Sequence, residues 1–194
     1  IGVMNLTENS EFIKIYWLQY KLLEKRMIEL SDYVSIDKKN YSTFSNQFIF
    51  LFLTICSEID SVADKLCSLL DISSKDRFGI NSKINNIIIK YNNLKNWKCN
   101  TKFPYDGINI VPFQKFDSEN NISSDWWQAY NKVKHFRTDC IDGMYNYELA
   151  NLKNILYSLS ALYLLICKIK NEFCSDSALN MNSDLFDIDV SSFI

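Results

Sequence analysis

The 194-residue sequence holds only four glycines and two prolines. These residues make frequent tight turns possible, so their scarcity argues against an all-β fold of many short strands and favours helices. Histidine is rarer still, a single residue, His135. One imidazole cannot complete the usual Cys/His zinc spacings, and the six cysteines, Cys56, Cys67, Cys99, Cys140, Cys167 and Cys174, include no CxxC pair. They read as free thiols of a reducing, cytoplasmic compartment. No glycine-rich phosphate loop is present either, so neither a metal nor a cofactor is expected.

An excess of one charge is also missing. Twenty-one Lys and Arg stand against 23 Asp and Glu, a formal net charge of −2 with a pI near 5.5. That balance supplies no global field for phosphate, so nucleic-acid binding would need a local basic patch. The longest apolar runs, 48–55 and 155–167, are interrupted by Thr54 and by Ser158 and Ser160. Both fall short of the roughly 18 residues that span a bilayer and read as core helices, with no membrane partner expected. The N-terminus lacks the basic, apolar and small-residue order of a secretory signal. Met4 is read as the native start, which leaves 1–3 as a remnant outside the domain.

What is present is helical periodicity. Residues 9–30 place Phe12, Ile15, Tyr16, Leu22, Leu23, Met27 and Leu30 on one stripe. The run 41–70 repeats apolar residues at three and four from Phe44 to Leu69 and is expected to form the central helix. A third helix is predicted over 81–94, a fourth from Ser123, Ser124 and Asp125, whose oxygens would cap it, to Cys140 with Gly143 as its stop, and a fifth over 147–173. Between the third and fourth, 97–121 holds Pro104, Pro112 and the pair Asp106-Gly107, a long connection with room for a small β-hairpin. The predicted fold is all-α, an antiparallel bundle of four to five helices. It forms one domain over 4–173, and the acidic segment 174–194 is expected to be poorly ordered or docked late.

The fourth helix carries the densest cluster of special side chains, WWQAYNKVKHFR from Trp126 to Arg137. At about 100° per residue, Trp126, Ala129, Tyr130, Val133, Phe136 and Cys140 share a core-facing arc. Arg137 projects into the same arc and would need a carboxylate, for which Glu58 on the central helix is the candidate. Trp127, Asn131, Lys134 and His135 fall on the more exposed flank. A cation, an amide and an imidazole on one edge can hold a phosphate with Lys134, orient it with Asn131 and move a proton with His135. The same residues also suit simpler roles: a structural histidine, packed aromatics and a solvated lysine face.

This run resembles the motif helix of the HEPN superfamily, small helical-bundle domains of bacterial toxin–antitoxin and abortive-infection systems, many of them metal-independent ribonucleases. The signature is an Arg, a polar residue, a short spacer and a His. Asn131, the spacer Lys132-Val133-Lys134 and His135 match it, whereas Tyr130 occupies the place of the Arg. Tyrosine brings no positive charge at neutral pH, so Lys134 or Arg137 would have to supply it. The resemblance implies an antiviral defence protein acting as a homodimer on RNA, with His135, Asn131 and Lys134 catalytic. Tyr130, Arg137, Glu58 and Trp127 would support them. The alternative it leaves open is a non-cutting protein that recognises a partner protein or RNA.

Overall fold

The computed structural model describes residues 4–105, 107–117, 120, 122–174 and 181–193. The chain begins with a reciprocal cap. The Asn5 side chain accepts from the Glu8 N–H at 3.0 Å while the Glu8 carboxylate accepts from the Asn5 N–H at 2.8 Å, satisfying donors that a helix start otherwise orphans. Helix α1 (Leu6–Phe12) passes through a π-helical turn, Ile13–Trp17, into α2 (Leu18–Leu30). Tyr20, Leu23, Met27 and Leu30 are buried, but Ile15 and Leu22, read as part of the same stripe, are exposed.

Ser45 caps α3 (Asn46–Leu69), its hydroxyl accepting from the Phe48 N–H at 3.1 Å. Helix α4 (Gly79–Lys90) follows, then β1 (Cys99–Thr101) and β2 (Asn109–Ile110), which pair antiparallel with Cys99 opposite Ile110. The hairpin expected in the long connection therefore forms. Asp106 of its predicted turn lies outside the described residues. Helix α5 (Asp125–His135) carries the motif, β3 (Cys140–Ile141) and β4 (Met144–Tyr145) form a second hairpin, and α6 (Leu152–Phe173) closes the helical part.

The protein is mostly helical with small antiparallel sheets, and its centre is α6 rather than α3. Seventeen of the 22 residues of α6 are buried, against 11 of the 24 in α3. A helix buried on every side needs its polar groups answered internally. The Ser158 and Ser160 hydroxyls donate to the Ile155 and Tyr157 carbonyls, and Lys168 pairs with Glu172 at 2.6 Å while its ammonium lies 4.4 Å from the Tyr91 ring centroid. By length and composition α6 would also suffice to cross a membrane, but its apolar surface is spent on the core. Burying each of its leucines and isoleucines stabilises the fold by roughly 1.5–3 kcal/mol.

The C-terminal segment, expected to be poorly ordered or docked late, is docked over its described residues 181–193. Residues 181–193 return to the body, where β5 (Phe186–Ile188) adds to the free edge of β1 with Thr101 opposite Phe186. Leu185 and Phe186 are fully buried, and Phe193 of the short α7 (Val190–Phe193) packs 4.8 Å from the Trp97 ring. The anchor is Glu24 on α2, which has no exposed surface and accepts from Tyr20 Oη at 2.8 Å, from the Leu185 N–H at 3.1 Å and from the Ser183 hydroxyl. Composition could not reveal this dock, because the apolar residues that make it are spaced among acids that read as solvated.

Candidate functional site

Helix α5 is placed by its N-terminal aromatic residues. Ser124 takes the cap position but does not cap. Its hydroxyl donates to the Pro112 carbonyl at 2.8 Å, and the Trp126 indole N–H donates to the same oxygen at 2.8 Å. The long connection is thus stapled to the start of α5, and Lys115 adds an ion pair with Asp125 at 2.5 Å. Trp126, Ala129, Tyr130 and Val133 face the core as predicted. Trp127, expected on the exposed flank, is buried as well, with its ring 4.8 Å from that of Tyr130. Tyr130 in turn meets Phe52 of α3 edge-on at 6.3 Å.

The helix stops at His135, five residues before the expected end. Phe136 leaves the helical region, and the returning chain takes the freed carbonyls: Asn146 Nδ2 donates to Phe136 O at 2.8 Å and the Tyr147 N–H to Arg137 O at 3.2 Å. Asp142 and Gly143 then both adopt positive φ, 51° and 82°, the turn that joins β3 to β4. An Asp-Gly pair is a strong hairpin signal, and here it marks a turn rather than a helix stop.

Because α5 ends early, Phe136, Arg137 and Cys140 never join the predicted core arc. All three are exposed. Arg137 donates from Nε to Val133 O at 3.2 Å and makes no ion pair with Glu58. Glu58 is half-buried with no cationic partner among the described residues, and burial raises its carboxyl pKa. The expected Arg137–Glu58 pair is therefore absent, since a residue beyond the last helical turn no longer shares the helix phase.

Asn131, Lys134 and His135 are exposed, in keeping with their predicted flank. Asn131 and Lys134 border a groove of about 550 Å³ between α3, the first turn of α4 and α5. The Lys134 ammonium lies 5.4 Å from the Tyr130 ring centroid and has no carboxylate partner among the described residues. His135 sits at the end of the helix outside that groove, beside the Phe136 ring at 6.2 Å. Sequence reasoning missed the other wall, formed by Ser57 and Asp60 on α3, by the cap residue Phe78 and by Gly79 through Ser82 on α4. Asp60 does not leave a free negative charge there, because the buried Lys83 ammonium meets it at 2.9 Å.

Among the described residues no group of three or more His, Cys, Asp and Glu side chains comes together in a way that could hold a metal ion. Burial raises the thiols of Cys56, Cys67, Cys99 and Cys167, Cys67 to about 11 and Cys167 to about 12, so these four are poor nucleophiles. Comparison with protein-family models, with curated proteins and with solved structures finds no match to this chain.

Proposed function

We propose that the chain is a HEPN-like helical-bundle protein of a bacterial defence or toxin module, cytoplasmic and homodimeric, that acts on RNA through the exposed flank of α5. The observation that carries this reading is the joint exposure of Asn131, Lys134 and His135 on one helix, with Lys134 paired to no carboxylate among the described residues. In the cutting form of the reading, His135 takes the proton of a ribose 2′-hydroxyl as that oxygen attacks the adjacent phosphorus. The bond from phosphorus to the 5′-oxygen breaks, and the leaving oxygen receives a proton from the imidazolium or from its counterpart in the second copy. Lys134 and Asn131 hold the phosphate. Arg137, exposed just past His135, supplies the positive charge that Tyr130 lacks.

A second reading rests on Tyr130 itself. Its ring is fixed between Trp127 and Phe52, so the position that bears the motif Arg is spent on packing. A protein so built binds RNA or a partner protein without cutting. Incubating purified protein with total RNA beside a His135→Ala variant separates the two. Cleavage by the parent that the variant loses supports the ribonuclease, whereas equal or absent cleavage in both removes the catalytic claim and leaves binding.

A further inference from the structure

The groove between α3, α4 and α5 is lined by hydrogen-bond donors for which the fold provides no acceptor. Ser123, Trp127 and Tyr130 are 8%, 7% and 6% exposed, and all three line it. Comparable buried groups nearby are answered: the Trp126 and Trp97 indoles donate to Pro112 O and Asn93 Oδ1, and the Ser124 hydroxyl donates to Pro112 O. By contrast, the Ser123 hydroxyl, the Trp127 indole N–H and the Tyr130 hydroxyl make no hydrogen bond among the described residues. None of the three belongs to the atoms sealed away from solvent. Ser123 offers only its carbonyl, to Gln128. Three largely buried residues whose donors stay open to solvent beside one groove form a site where a ligand's acceptor oxygens can replace water.

The opposite wall adds the start of α4 beside the Asp60 carboxylate. Helix α4 is 12 residues long, and its cap residue Phe78 provides no side-chain acceptor. Gly79 enters the helix at φ +77°, a conformation that favours glycine, and a Cβ there would meet nothing within 4 Å, so its role is in the backbone turn. The positive end of the helix dipole and the Gly79 and Ile80 N–H groups thus border the groove. Lys134 brings a full charge, and Asp60 is answered by Lys83.

We propose that this groove binds the phosphoryl group of a nucleotide. The donors outnumber what the two oxygens of a carboxylate can accept and suit a tetrahedral oxyanion with three peripheral oxygens. The groove volume, about 550 Å³, is that of a small-ligand site. At its rim the Phe78 ring is 92% exposed and offers a face on which a base can stack. The proposal rests on the RNA reading only in sharing Asn131 and Lys134. The Ser123, Trp127, Tyr130 and α4 donors are independent of it.

Calorimetric titration of the full chain with inorganic phosphate, with adenosine monophosphate and with adenosine tests the site. Phosphate and the nucleotide bind saturably, the nucleotide more tightly, and adenosine does not. Ser123→Ala and Tyr130→Phe each remove one unpartnered hydroxyl and little shape, and each weakens both ligands about tenfold. Phe78→Ala lowers nucleotide affinity to that of phosphate. A short RNA with a 5′-phosphate, set beside the mononucleotide, identifies the source: the tighter binder of the two is the natural form. Absence of saturable phosphate and nucleotide binding overturns the proposal. So do affinities unchanged in Ser123→Ala and Tyr130→Phe variants that melt like the parent, and a nucleotide affinity unchanged by Phe78→Ala overturns the placement of the base. RNA cleavage that depends on His135 but persists without phosphate binding would remove this site and leave the ribonuclease reading intact. Phosphate binding without cleavage would do the reverse.

Discussion

A carboxylate with no exposed surface must fill its lone pairs inside the protein. Glu24 does so with Tyr20, Ser183, the Leu185 N–H and the Lys21 ammonium. Removing it orphans groups from α2 and from the C-terminal segment together, so Glu24→Ala is expected to cost about 3–5 kcal/mol of unfolding free energy, read by urea titration. Glu58 presents the opposite case, a half-buried carboxyl that burial pushes toward the neutral form without any cation to offset it. A carboxyl whose folded-state pKa is raised favours folding at low pH, and that advantage is lost as pH rises through the folded-state value. Glu58→Gln should therefore raise the melting temperature at pH 7, with the gain vanishing below the ordinary carboxylate range. A gain that persists at acid pH would show that packing, not charge, is responsible. The exposure of Asn131, Lys134 and His135 was legible from helical phase alone. That of Arg137 was not, because phase holds meaning only while the helix continues.

Two elements show where periodicity reaches its limit. The apolar repeat identified every long helix, but it placed α3 at the centre, since the repeat cannot tell an amphipathic face from burial on all sides. Ser158 and Ser160 looked like interruptions in the sequence. They are small residues whose hydroxyls return to their own helix, and so they permit α6 to be enclosed. Past the end of α5, Gly143, expected as the helix stop, instead forms with Asp142 the turn between the paired strands Cys140–Ile141 and Met144–Tyr145. That hairpin is exposed along its whole length. Hydrogen exchange followed by mass spectrometry should show rapid exchange over 140–145 and exchange in the middle of α6 only through global unfolding. Slow exchange in the hairpin would instead mean that a second copy or a partner covers it in solution.

At the scale of the whole molecule, the fold concentrates scattered features of the sequence at one place. Ser57 and Asp60 on α3, Phe78 before and Gly79 at the start of α4, and Ser123, Trp127 and Tyr130 on and before α5 are far apart in sequence but border one groove. None of them forms a motif by itself, which is why the second wall of the site could not be read before the fold was known. The net charge of −2 conceals a cluster of cations, with Lys132, Lys134 and Arg137 exposed around the end of α5 and, among the described residues, no carboxylate paired to them. The claim on which the account turns is that this flank engages the phosphates of RNA. Fluorescence anisotropy with a labelled single-stranded RNA, titrated at several salt concentrations, tests it most directly. The parent protein should bind with an affinity that falls as salt rises, and Lys134→Ala should weaken binding to every sequence alike and lower the salt slope by about 1. Absence of binding by the parent, or identical affinity and slope in the variant, would contradict it.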